Sequence, residues 1–383
     1  MEWVKLGDLV KITKGKKVEE STNKSEKSFR YIQIEDLRND DNIKYTEDAK
    51  ATIVNKDHVL IAWDGANAGT VGFNLEGAIG STISALEINE LYKNEFSSEF
   101  LGYYLKNKNY YLRATSTGAT IPHINRIALL KLKIPKINKV NQLAIVGTFK
   151  EIEKIINNRK EQIQAYDDLI VSLFIKMFGN PNYNRLKLEL KKLGVLGKWK
   201  SGGTPRRSNR EYYKGNIPWI TSGELNEMFI DDSTEHINEI AIENSSTKIV
   251  PVGSLLLGMY DSAGLKSSIT TRVVTTNQAI AFSKLNEDLV NTIYVYYCIQ
   301  LMRNNLLTKQ RGVRQKNFNL SMIRDIDIPV PSIELQNKFA DYVIKIEEEK
   351  KKLNSSLKEL ENLFDAFMQE AFSGNLFKDW EGR

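Results

Sequence analysis

Two long stretches of the chain carry apolar residues in a strict alternation of four- and three-residue steps. In the first, Ile145, Phe149, Ile152, Ile156, Arg159, Ile163, Tyr166, Ile170, Leu173 and Met177 follow one another in this way. In the second, Phe339, Val343, Ile346, Lys350, Leu353, Leu357, Leu360, Phe364, Phe367 and Ala371 repeat the same steps. A mean period of about 3.5 residues keeps side chains on one stripe of a supercoiled helix, so each stretch predicts a coiled-coil helix with that stripe as its seam. Roughly 40 residues at about 1.5 Å rise make each helix about 60 Å long, more than one small domain needs. One charged residue interrupts each seam, Arg159 and Lys350, as register-fixing residues do. Two ordinary amphipathic helices inside a globule are the simpler reading, but they leave the matched length and phase unaccounted for.

Elsewhere the pattern changes. Short β-rich runs, HVLIAW (His58–Trp63) and GSLLLGMY (Gly253–Tyr260), sit between Gly and Asp. Each is followed by a tyrosine-rich segment at helical spacing, FLGYYLKNKNYYL and VNTIYVYYCIQLM. The tyrosines there, Tyr103, Tyr104, Tyr110, Tyr111, Tyr294, Tyr296 and Tyr297, are expected to pack in the core rather than to stack on bases. The order is the same both times, and the chain is an internal repeat. Gly118 matches Gly312, Asn125 matches Asn319, Ile134-Pro135 matches Ile328-Pro329 and Gln142 matches Gln336, every pair 194 residues apart. Upstream, Leu6-Gly7 pairs with Leu193-Gly194, Tyr31-Ile32 with Trp219-Ile220 and Asp64 with Asp261 at changing offsets, which implies loops of different length.

The expected fold is mixed α+β. Two globular α/β domains, residues 1–138 and 181–332, are joined by long helices at 139–180 and 333–383. Each helix leaves the end of its own domain, so antiparallel packing would give a dumbbell with a pseudo-two-fold axis within one chain.

Charge adds a partner. The net charge is +6 and the pI about 9.0, a weak sign of a polyanion taken alone. Its placement says more. Residues 101–150 hold nine Lys or Arg and no acid, and residues 289–324 hold six and no acid. Double-stranded DNA has its own local two-fold axis, so two related but unequal basic faces suit two unequal half-sites, with the helices as spacer. No apolar run is long enough for a membrane span, and the single cysteine, Cys298, allows no disulfide within the chain and reads as a core residue. A cytoplasmic protein is expected.

Catalytic chemistry is poorly represented. Asn180-Pro181-Asn182-Tyr183 comes near the Asn-Pro-Pro-Tyr that holds a flipped adenine in amino-methyltransferases. Its second proline is missing, no methyl-donor loop accompanies it, and it falls where helix stop signals belong. The histidines His58, His123 and His236 lack metal-ligand spacing, so neither metal nor cofactor is expected.

Several segments together resemble one family, the specificity subunit of type I restriction-modification systems. They are KWKSGGTPRRSNREYYKGNIPWITSGEL (Lys198–Leu225), LIAWDGANAG (Leu60–Gly69), GATIPHIN (Gly118–Asn125), IPVPSIELQNKFA (Ile328–Ala340) and MFGNP (Met177–Pro181). The likeness covers essentially the whole chain. It implies two target-recognition domains on two antiparallel conserved helices, and a subunit without catalysis of its own. Such a subunit would read a bipartite, asymmetric DNA sequence, hold two adenine-methylating modification subunits and be joined by motor-nuclease restriction subunits. The first domain departs from the family where it has TKGKKVEESTNKSEKSFRYIQ in place of an SGGTP segment, which puts the transfer of loop roles in doubt there. A self-contained DNA-modifying enzyme and a coiled-coil scaffold are the alternatives. Methyl-donor binding by the isolated chain would mark the first, and a DNA affinity insensitive to salt the second.

The expected DNA contacts lie on loops. In the second domain they are Arg311, Arg314, Gln315 and Lys316, then Arg206, Arg207 and Arg210. In the first they are His123 and Asn125, with Arg113 and Arg126 nearby, and Lys14, Lys16 and Lys17 for phosphates. Asn125, retained as Asn319, suits backbone capping as well as base reading. The outward face of the second helix, including the Glu347–Lys352 cluster, is expected to be covered by modification subunits.

Overall fold

The computed structural model describes residues 2–118, 120–260, 264–309 and 317–373. The chain forms two compact units: residues up to 160 with those from 355 onward, and residues 161–354.

Each unit is built on the same pair of small sheets. In the first unit, one sheet orders Val10–Lys14, Ile83–Ile88, Val59–Ala62 and Val71–Phe73; the other orders Lys44–Thr46, Phe29–Ile32, Gly77–Ile79 and Thr52–Val54. The second unit repeats both orders. One sheet has Lys200–Ser201, Ile280–Ser283, Leu255–Gly258 and Ser267–Thr270, extended by Phe229–Ile230; the other has His236–Ile237, Ile217–Ile220, Val274–Thr276 and Ile249–Val250. Even the single parallel pairing inside the second sheet recurs, Tyr31 beside Ala78 and Trp219 beside Thr275.

The central strands explain the unbroken apolar runs in the sequence. Along Val59–Ala62, Val59 and Ile61 enter one core and Leu60 and Ala62 the other. Along Leu255–Gly258, Leu255 and Leu257 face one core and Leu256 the other. A strand covered on both faces has no polar side, so period-two alternation vanishes. Each fully buried leucine there contributes about 1.5–3 kcal/mol.

Two short strands close each unit onto its long helix. Trp3 pairs with Pro135 and Leu190 with Pro329, in the same register. The tyrosine hydroxyls of Tyr104 and Tyr294 donate to carbonyls of these closing strands, at Lys133 (2.7 Å) and Pro329 (2.6 Å). The second tyrosine-rich segment is one helix, Thr292–Lys309, whereas the first breaks at Lys108 into Ser98–Asn107 and Asn109–Ala114. Tyr103, Tyr104, Tyr294 and Tyr297 are buried and Tyr296 is half-buried, as expected. Tyr110 and Tyr111 correct the expectation: beyond the break they stand 87% and 41% exposed.

The long helices run Lys139–Phe178 and Ile333–Ser373. Every one of the twenty seam positions is buried or half-buried. In the first unit, the start of the first helix meets the end of the second: Phe149 packs on Phe364, Phe367 and Phe372. In the second unit, the end of the first meets the start of the second: Phe174 and Phe178 pack on Phe339 and on Tyr294. The helices are therefore antiparallel. Lys350 reaches Asp167 (2.5 Å) and Glu347 (2.8 Å) across and along the seam. Glu347 and Lys350 thus belong to the seam rather than to an outward cluster; Glu348, Glu349, Lys351 and Lys352 are the exposed members.

The first helix ends at Gly179, whose φ is +73° and whose N–H bonds Ile175 C=O (2.9 Å). Asn180 Oδ1 accepts from the Asn182 N–H, and the Asn182 side chain bonds Leu301 C=O and Asn305 of the following domain helix. The NPNY segment is a helix stop and a clamp within the second unit.

Gln142 and Gln336 are fully buried. Gln142 accepts from Ser97 N–H (2.8 Å) and donates to the carbonyls of Glu95 and Ile137. Gln336 does the same with Asn291 N–H (2.9 Å) and the carbonyls of Leu289 and Pro331. Gln142→Ala strands these backbone groups in the interior and should cost about 1–3 kcal/mol in chemical denaturation. A loss no larger than that of the exposed Asn157→Ala would contradict this role.

Burial alone would lower the Lys350 ammonium, but its bonds to Asp167 and Glu347 outweigh this and hold it above the usual lysine value. A raised folded value means stability fully present below the unfolded lysine range and lost as pH climbs through the folded one. Stability measured from pH 8 to pH 11, values chosen to bracket about 10.4, should fall more steeply for the native chain than for Lys350→Met. Parallel curves would show that the seam lysine is energetically idle.

Candidate nucleic-acid interface

The loops that follow Val10–Lys14 and Lys200–Ser201 are each held by one glycine. Gly15 N–H bonds Ile83 C=O (2.9 Å) and Gly202 N–H bonds Ile280 C=O (3.1 Å). The next residues repeat the match, Lys16 N–H to Ile79 C=O and Gly203 N–H to Thr276 C=O. A Cβ at Gly15 would fall 2.3 Å from Gly80 O, and one at Gly202 would fall 2.2 Å from Thr276 O. Only glycine allows that approach. The two loops, so unlike in sequence, are equivalent: Gly15 stands where Gly202 stands. The aromatic beneath agrees, since the Tyr31 hydroxyl donates to Lys16 C=O (3.4 Å) and the Trp219 indole to Gly203 C=O (3.0 Å).

Five residues beyond the glycine, each loop is tied to the neighbouring strand by an ion pair. In the first domain Glu20 pairs with Lys44 (2.5 Å), the residue opposite Tyr31. In the second, Arg207 pairs with Glu235, whose carbonyl accepts from Trp219 N–H. The device is the same and its polarity is reversed. The second version is the more elaborate. Arg207 makes two bonds to Glu235 (2.6 and 2.9 Å) and lies 4.6 Å above Trp219 and 4.7 Å above Tyr213. The bond to Glu235 raises its already high pKa. Arg207, expected at DNA, also shapes its loop through these contacts.

A second junction forms in the first domain. Asp64 accepts from Lys14 Nζ (3.0 Å), and its other oxygen lies 2.6 Å from His123 Nδ1. Burial alone would raise the Asp64 carboxyl; the bonds from His123 and Lys14 outweigh it and hold it below the usual range. The backbone of His123 bridges both Thr117 and Asp64. The structure therefore gathers Lys14, the glycine-rich loop at Asp64 and the GATIPHIN loop, with the imidazole turned so that Nε2 is left for a ligand. Lys16, Lys17, Arg113 and Arg126 are exposed on the same domain.

Asn125 caps the helix Arg126–Leu130, its Oδ1 accepting from Ile127 and Ala128 N–H. Asn319 caps Leu320–Arg324 in the same way. Retention in both domains thus has a structural cause. In the second domain Arg206 and Arg210 are exposed beside the clamped Arg207. Arg311, Arg314, Gln315 and Lys316 lie outside the described residues.

The acid-free stretches are not acid-free in space. Lys106, Lys136 and Lys150 pair with Glu153, Glu95 and Glu99 from elsewhere. Arg324 spends a bond on Trp199 C=O. Lys131, Lys133 and Lys139 join Arg113 and Arg126 among the exposed cations of the first stretch. Sequence reasoning missed Glu20, Lys44 and Glu235, because each is read only against a partner strand.

Similarity to known proteins accords with this geometry. The family model described as "Type I restriction modification DNA specificity domain" matches residues 1–165 and again 186–362. The MjaVIII type I restriction enzyme specificity subunit of Methanocaldococcus jannaschii is 22% identical over 94% of this chain and 91% of its own length. A type I specificity subunit of Escherichia coli is 27% identical over 51% of this chain, which spans 48%, about half, of that relative. The crystal structure of the type I restriction-modification S subunit from M. genitalium superposes with a TM-score of 0.60 at 18% identity, covering 97% of this chain and 96% of that one, and so shares the fold. The chain belongs to the type I restriction-modification specificity family and carries that family's DNA specificity domain twice.

Proposed function

We propose that this chain is the sequence-reading, non-catalytic subunit of a type I restriction-modification complex. Its two domains, residues 1–138 and 181–332, each read one half of a bipartite, asymmetric DNA target. The long helices, Lys139–Phe178 and Ile333–Ser373, space them. One observation carries the reading: a single two-sheet scaffold occurs twice, and its loops differ at equivalent places, down to the reversed pair Glu20–Lys44 against Arg207–Glu235. A shared scaffold with divergent loops suits a target whose halves differ.

In this reading Arg113, Arg126, Lys14, Lys16 and Lys17 meet the backbone of the first half-site and His123 Nε2 approaches a base edge. Arg206 and Arg210 serve the second, together with Arg311, Arg314, Gln315 and Lys316. Two modification subunits methylate adenine and cover the helices, and motor-nuclease subunits join for restriction. Exposed apolar residues outside the seam, Leu143, Ile155, Leu169 and Leu363, support such coverage. The complex works in the cytoplasm, beside its DNA.

Replacing residues 1–138 with another recognition domain should change one half of the methylated motif and leave the other half intact. A change in both halves would refute the modular reading. Reversing the charges of Glu348, Glu349, Lys351 and Lys352 together should weaken co-purification with the modification subunit while leaving the melting temperature of the chain unchanged. Undiminished assembly would place the partner elsewhere.

A further inference from the structure

The first domain has an open groove of ≈ 1140 Å³ beside the Gly15 loop, lined among others by Lys17, Tyr31, Gln33, Asn67, Ser81 and Thr82. Its counterpart place in the second domain is built differently. There Trp219, the equivalent of Tyr31, lies under the Arg207 guanidinium with Tyr213 alongside. One scaffold position thus carries a stacked cation in one domain and an open polar cleft in the other.

Two amides in the cleft are each gripped at one end. Gln33 Nε2 donates to Glu20 (2.6 Å), whose charge is met by Lys44. Asn67 Oδ1 accepts from Arg38 (2.6 Å), which also donates to Thr70. These anchors fix both rotamers and leave Gln33 Oε1 as an acceptor and Asn67 Nδ2 as a donor. Neighbouring Glu19 and Glu35 also line the groove. With Lys44 paired to Glu20, these two carboxylates outnumber Lys17 in the lining and favour a ligand that brings hydrogen-bond donors. Among DNA groups, the major-groove edge of adenine fits, because its N6 amine beside the N7 acceptor suits an acceptor and a donor amide end.

We propose that this groove reads one adenine of the first half-site, with Gln33 and Asn67 as specificity determinants. The proposal rests on the DNA-reading function and names the base class for one of its sites.

The test is base-resolution mapping of methyladenine in a host expressing the modification subunit with the full chain, native, Q33A or N67D. N67D keeps the acceptor for Arg38 and alters only the end facing the groove. The native chain should give a bipartite motif. Each variant should relax or shift one A·T position in one half alone, with discrimination there falling about tenfold or more. Retention of the native motif by both variants would overturn the proposal, as would a change confined to G·C positions or to the other half. Should Q33A fail to assemble, N67D decides alone. A native chain that yields no bipartite motif would remove the function on which the groove depends, a result distinct from an unchanged variant motif.

Discussion

Each unit depends on its stretch of the antiparallel apolar seam, which is built into that unit's core. Phe149 against Phe364, Phe367 and Phe372 seals one end; Phe174 and Phe178 against Tyr294 and Phe339 seal the other. Between them the stripe contains one lysine, Lys350, which bonds two carboxylates. A charge placed this way penalises a slipped register more than it stabilises the correct one, because a shift would bury it without partners. The buried glutamines complete the attachment. Gln142 and Gln336 satisfy backbone groups at the point where each long helix begins, so the helix and the domain loop before it cannot be arranged independently.

On that foundation the two domains keep what sets position and vary what sets recognition. The glycine at Gly15 and Gly202, the helix caps at Asn125 and Asn319 and the aromatic donor at Tyr31 and Trp219 recur. The residues between them do not. The reversed ion pairs show how far the loops have diverged without losing their attachment: a loop pinned by Glu20 offers amides around a cleft, while one pinned by Arg207 offers a stacked guanidinium. For a protein that recognises DNA without altering it, this division between fixed frame and variable loop is the functional core.

Long-range periodicity made the helices readable from sequence, since a heptad pattern over ten positions has few competing explanations. Repeat spacing similarly exposed Gln142 and Gln336 and the two capping asparagines. The sheets were less readable, because central strands of four residues buried on both faces carry no alternation. The equivalence of Gly15 and Gly202 was hidden, as its cause is a carbonyl more than sixty residues away in sequence. The contacts that fix Arg207 were hidden for the same reason: Glu235 and Trp219 reach it through the sheet. The basic stretches overstated their exposed charge because Glu153, Glu95 and Glu99 fold back onto them. Tyr110 and Tyr111 continued a helical spacing that the backbone breaks at Lys108.

The central claim is that this chain directs methylation and does not perform it. The most direct measurement compares methyladenine across a host genome with the native chain expressed alone, with the modification subunit alone, and with both. The account predicts methylation only when both are present, at one two-part motif with a modified adenine on each strand. Methylation by the chain alone would contradict it, and so would a motif independent of the chain.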